Sequence, residues 1–131
     1  MSVFVDTSGI LAVLDASDAS HARAAAAWRR LIEAENPLVT SSYVLVELVA
    51  LAQHRLGVAA VRDIDRALVP VLGVVWIDER LHNRGMAALL AAGRRKLSLV
   101  DCVSFACMRR QGLTHAFHFD RHFREQGFAS A

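Results

Sequence analysis

The stretch "SVFVDTSGILAVLD", residues 2–15, holds two kinds of local order side by side. "SVFV" is short, apolar and rich in β-formers, and it stops abruptly at Asp6. A run of that length and composition reads as a strand buried on both faces, as in a parallel sheet. "TSGILAVLD" then reads as a short helix, with Asp6, Thr7 or Ser8 available to cap its first turn. A buried strand passing directly into a capped helix is the opening of an α/β fold.

The same alternation continues along the chain. "HARAAAAWRRLIEAEN" after Ser20 reads as an amphipathic helix with Trp28, Leu31 and Ile32 on one face, ending near Pro37. "PLVTS" is a second strand, and Ser41 or Ser42 starts the apolar helix "YVLVELVALAQHRLG", closed by Gly57. "VAAVRDIDRALVPVL" reads as a further helix and "GVVWI" as strand three. Helices "ERLHNRGMAALLAAG" and "LSLVDCVSFACMRR" follow, then a strand "THAFHF" and a last helical turn "RHFREQG". Strands alternating with helices predict a three-layer α/β/α sandwich around a mostly parallel sheet. With 131 residues and no linker, repeat or low-complexity tract, residues 1–131 are expected to form one domain.

Composition narrows the function classes. An apolar fraction of 54% excludes disorder. No apolar run reaches the roughly 20 residues a spanning helix needs: "ALVPVLGVVWI" is short and interrupted by Pro70 and Gly73. The N-terminus lacks the basic-then-apolar layout of a secretory signal, so a cytoplasmic location is expected. Cys102 and Cys107 stand five apart on one predicted helix, point in different directions, and read as reduced core residues. A net charge of +2 is too small to identify a nucleic-acid partner, although Arg94-Arg95-Lys96, Arg109-Arg110 and Arg121 with Arg124 form local basic clusters.

The acids carry more information. Ligands of open α/β sheets bind outside the carboxyl ends of the strands, where Asp6, Asp78 and Asp120 fall. Asp6 and Asp120 can each cap the helix that follows, and Ser98 with Asp101 matches a capping box. Glu47 resists a capping role: it lies inside its helix among Tyr43, Val44, Ala50 and Leu51 at helical spacing. A carboxylate on an apolar face requires a partner, either an arginine or a metal ion. If Asp6, Glu47, Asp101 and Asp120 converge, their oxygen donors suit Mg2+ or Mn2+ and metal-assisted attack on a phosphodiester.

Taken in order, "VFVDTSGILAVLD", "TSSYVLVEL", "LSLVDCVSFACMRR" and "AFHFDRHF" resemble a PIN domain, and more closely the VapC-type toxins of bacterial toxin–antitoxin pairs. The resemblance spans nearly the whole chain. It implies an Mg2+- or Mn2+-dependent endoribonuclease with Asp6, Glu47, Asp101 and Asp120 as the catalytic acids. Asp6, Asp101 and Asp120 would be the metal ligands, Glu47 would orient water or act as base, and Thr7 and Ser8 would support them. Some relatives carry a further acid where this chain has His122, which is therefore expected to contact substrate phosphate. Arg94, Arg95 and Lys96 are expected to grip RNA. The resemblance also implies a homodimer and a VapB-like antitoxin that covers the acidic groove and binds operator DNA.

Three other readings compete with this one. A receiver-like phosphoacceptor domain requires an acidic pair at strand one and a late lysine, whereas Asp6 is followed by Thr7 and the only lysine, Lys96, precedes a helix. A metal-free nuclease would use His118 and His122 as acid and base. A catalytically silent PIN-like protein-binding module would keep the fold without the reaction.

Overall fold

A computed structural model describes the whole chain, Met1 to Ala131. Five strands, β1 (Val3–Val5), β2 (Leu38–Ser41), β3 (Leu72–Val75), β4 (His115–Phe117) and β5 (Ala129–Ser130), form one sheet in the order β3-β2-β1-β4-β5. Every pairing is parallel. Seven α-helices cover it: α1 (Thr7–Leu14), α2 (His21–Glu33), α3 (Ser42–Leu56), α4 (Val58–Asp63), α5 (Glu79–Ala92), α6 (Leu99–Gln111) and α7 (Arg121–Glu125).

The three layers follow from the two-residue period of the strands. Val3 and Val5 of β1 face one core, with Ile10 and Leu11 of α1, Ala24, Ala27 and Leu31 of α2, and Leu48 of α3. Phe4 faces the other core, with Leu81 of α5, Cys102, Phe105 and Met108 of α6, and Phe123 of α7. Both faces of β1 are thus dry, as its unbroken apolar run predicts. Cys102 and Cys107 are buried free thiols.

Sheet order decides where a ligand can bind. From β1 the chain first moves outward through β2 and β3, then returns to place β4 and β5 on the opposite side. The order therefore reverses between β1 and β4, which creates a crevice at their carboxyl ends. The crevice is tightly closed beneath: Asp6 N–H donates to the Phe117 carbonyl at 3.1 Å. Helix α1 presses onto the same point, because a methyl group on Gly9 would lie 2.6 Å from the Phe117 carbonyl oxygen.

Three local expectations need correction. The segment after α4 is not one helix: residues Ile64–Leu68 form a π-helical turn and Val69–Val71 a 3-10 turn. Pro70 lacks the N–H that a continuing helix requires, so the ladder re-pairs around it. Strand β3 begins one residue earlier than expected and stops before Trp76, which is left 75% exposed. Strand β5 was not expected at all; two residues beside β4 are too short to show a period.

Candidate active site

Each acid of the crevice is placed by a local hydrogen bond. Asp6 caps α1: its Oδ2 accepts from Ser8 N–H at 3.1 Å and from the Ser8 hydroxyl at 2.6 Å. The Ser8 oxygen in turn accepts from Phe119 N–H at 3.0 Å, which ties the exit of β4 to the start of α1. Asp101 forms the expected capping box, accepting from Ser98 N–H through Oδ2 at 3.1 Å, while Ser98 Oγ accepts from Asp101 N–H at 3.0 Å. Asp120 caps α7 through Oδ1, which accepts from His122 N–H at 3.0 Å. In all three acids one oxygen is used for the cap and the other has no protein partner.

Glu47 reaches the same crevice from α3 and caps nothing. The arginine that would explain a carboxylate on an apolar face is absent. No arginine or lysine lies within 4.0 Å of Asp6, Glu47, Asp101 or Asp120. The buried Thr7 hydroxyl faces Glu47 and lowers its pKa, yet has no partner at hydrogen-bond distance.

Asp6, Glu47 and Asp101 are each raised in part by neighbouring acids, which places them near one another and near Asp120, although only Asp101 and Asp120, with His122, bring donor atoms within 4.8 Å. Burial pushes Asp6 up to about 7 against the opposing Ser8 hydrogen bonds, and Asp101 and Glu47 push the same way. Burial also raises Glu47, with Asp101 and Asp120 adding to the effect. Asp101 is raised by burial first and by Asp120 as well, while Ser98 and His122 oppose the shift. Carboxylates held this way are short of positive charge.

The tightest group of donor atoms comprises Asp101, Asp120 and His122, all within 4.8 Å of one another. His122 is buried, with Nε2 3.8 Å from Asp120 and Nδ1 3.6 Å from Glu125. It thus sits inside the acidic group, on its Asp120 side. Arg94, Arg95 and Lys96 are exposed on the turn between α5 and α6, and Arg94 is paired with Glu125 at 2.9 Å. His118 is buried and stacks on Phe123, and burial pulls its pKa down. Its Nε2 lies 3.1 Å from the Ser130 hydroxyl.

Acids from β1, α3, α6 and the end of β4, gathered at the switch point of this sheet order, fit the family whose model, the PIN domain, matches residues 3–129. The chain belongs to the PIN domain family. It resembles the 23S rRNA-specific endonuclease VapC20 of Mycobacterium tuberculosis, with 37% identity over 128 residues, 96% of this chain and 95% of that protein. The crystal structure of VapC20, a sarcin-ricin loop cleaving toxin, matches with a TM-score of 0.83 at 35% identity, covering 97% of this chain and 96% of that one. FitAcB from Neisseria gonorrhoeae shares the PIN fold at 16% identity, with a TM-score of 0.72 over 99% of this chain and 96% of its own. No helix of this PIN domain is long and apolar enough to cross a membrane.

Sequence reasoning missed one feature beside the site. Arg23, Arg30, Arg121 and Arg124 line a single cleft that includes Asp120. Only the Arg121–Arg124 pair could be seen in the sequence, because the other two arginines lie about a hundred residues away on α2.

Proposed function

We propose that this chain is a VapC-type endoribonuclease toxin that cleaves large-subunit ribosomal RNA at the crevice between β1 and β4. The observation that carries the reading is four converging carboxylates without one arginine or lysine beside them. The near-full-length similarity to VapC20 supports the substrate class.

The residues present fit a divalent cation. Asp6, Asp101 and Asp120 each keep one carboxylate oxygen unpaired, and the Thr7 hydroxyl is buried without a partner. Such hard oxygen donors suit Mg2+ or Mn2+. A cation bound there supplies Lewis-acid chemistry, neutralising phosphate charge and acidifying water.

The chain's own groups supply the rest. Caps on α1, α6 and α7 lock the rotamers of the three aspartates, so the donors are arranged before substrate arrives. Glu47, half-buried and raised in pKa, accepts the proton of the attacking water. Attack in line with the 3′ oxygen forms the new O–P bond as the P–O3′ bond breaks, and the departing oxygen takes a proton from water, leaving a 5′-phosphate and a 3′-hydroxyl. The imidazole of His122 adds a nitrogen donor beside Asp120.

We take residues 1–131 to act as one domain, in the cytoplasm, where the buried thiols stay reduced. A homodimer and an operator-binding VapB-like antitoxin complete the proposed assembly.

The test compares cleavage of ribosomal RNA with Mg2+, with Mn2+, in chelator, and by Asp6→Asn and Asp101→Asn variants. Cleavage only with metal and wild-type acids, leaving 5′-phosphate ends, is the expected result. Cleavage in chelator through a 2′,3′-cyclic phosphate would point to His118 and His122 instead. Complete inactivity of the well-folded protein would favour the silent binding module.

A further inference from the structure

A second cleft opens beside Asp120. Its walls are Arg23 and Arg30 from α2 and Arg121 and Arg124 from α7, with Phe119 between them. All four arginines are exposed. Only Arg121 has an acidic neighbour, Glu125 at 3.5 Å; Arg23, Arg30 and Arg124 have none within 4.0 Å. Like charges gathered without counter-charge repel one another and raise the local potential for an anion. Most exposed arginines of the chain likewise lack an acidic partner; these differ in that four of them line one cleft.

Two features select the kind of anion. Arg23 lies over the Phe119 ring at 5.3 Å, so a half-buried aromatic ring and planar guanidinium groups line the cleft together. Single-stranded nucleic acid is held by this combination, cations tracking phosphates and aromatic faces stacking bases. The cleft also shares Asp120 with the acidic crevice, so a strand lying in it leads straight to the reactive phosphate. An acidic protein segment would use the arginines but gain little from the half-buried ring.

We propose that the Arg23–Arg30–Arg124 cleft, with Phe119, is the groove that holds the RNA strand next to the scissile bond. This assignment rests on the endoribonuclease reading and moves the main phosphate grip away from Arg94, Arg95 and Lys96. Arg94 is already engaged by Glu125, and neither Arg95 nor Lys96 lies over an aromatic ring.

The experiment reads binding separately from cleavage. An Asp6→Asn background in chelator is titrated with a short fluorescein-labelled single-stranded RNA by anisotropy, between about 50 and 200 mM salt. Arg23→Ala/Arg30→Ala/Arg124→Ala is expected to weaken binding about tenfold or more. Its log–log salt slope should shrink by about 2, since each single-strand phosphate contact contributes about 0.7. Arg94→Ala/Arg95→Ala/Lys96→Ala should change the slope by less than about 1. Phe119→Leu should weaken RNA binding about fivefold with the slope unchanged, as loss of stacking would.

Poly-L-glutamate serves as the competing acidic polymer and should bind markedly more weakly than RNA. Arg30→Ala/Arg124→Ala, which leaves the Arg23–Phe119 contact intact, is the fallback if the triple variant melts early. An unchanged slope in the α2/α7 variants, or the full effect appearing in the residues 94–96 variant, overturns the assignment. Poly-L-glutamate binding as tightly as RNA would also overturn it, giving the cleft to an acidic protein partner. Because the background does not cleave, failure of the cleft leaves wild-type cleavage untouched. Failure of the nuclease reading would likewise leave RNA binding measurable.

Discussion

The acidic crevice and the basic cleft meet at Asp120, and each gathers like charges with few opposite charges beside them. They differ in burial. Asp6 is 3% exposed and its pKa rises to about 7, whereas the cleft arginines stand in solvent. Charge crowding is costly only where water cannot screen it. The crevice therefore stores a need for a cation at the expense of stability, while the cleft attracts a polyanion at almost no cost to the fold. The first is suited to chemistry and the second to grip.

The sharpest way to break this contrast is Asp6→Asn. Asparagine keeps the cap on α1 and removes the buried charge. RNA cleavage is expected to fall at least about a hundredfold, while the metal-free protein becomes more stable above pH 7. Cleavage assays paired with melting in chelator measure both effects. A destabilised, still active variant would contradict the account.

A pH series of the wild-type protein in chelator tests the same stored cost. Asp6 has a folded pKa raised above its unfolded value of 3.8 to about 7. The folded state thus keeps a proton that the unfolded chain releases. Stability is full below about pH 4, declines as pH rises towards 7, and levels off above it, a total of about 4 kcal/mol from this group. Glu47 and Asp101 shift in the same direction and add to the decline. Added Mg2+ should restore the melting temperature most strongly on the alkaline side, because only ionised carboxylates bind it.

Gly9→Ala tests the closely packed base beneath the crevice. A methyl group there meets the Phe117 carbonyl and ring, so destabilisation of about 1–3 kcal/mol is expected in denaturant titrations. The smallest effect belongs to the cleft. Arg30→Ala with Arg124→Ala should leave unfolding free energy within about 0.5 kcal/mol of wild type. A large loss would mean that these arginines are structural.

Much of the site was legible locally. Asp6, Ser98 with Asp101, and Asp120 cap their helices as the residue patterns predict, and each cap leaves an oxygen free for another task. Glu47 stood out because no local partner explains a carboxylate there, and the structure supplies no basic one either. His122, expected to contact substrate phosphate, is packed within the acidic group, because the first turn of α7 carries it inward beside Asp120. The phosphate grip expected at residues 94–96 rested on adjacency in sequence, which says nothing of what Glu125 does to Arg94.

The sequence alone determined the alternation of buried strands and capped helices, since caps and strand periods act over two to four residues. Only the tertiary structure decided which strand ends are neighbours. The reversal of sheet order between β1 and β4 sets the ends carrying Asp6 and Asp120 side by side, α3 and α6 bring Glu47 and Asp101 near them, and the packing of α2 near α7 assembles the arginine cleft. Both depend on contacts between residues tens of positions apart, where hydrophobic pattern marks what is buried but not against what.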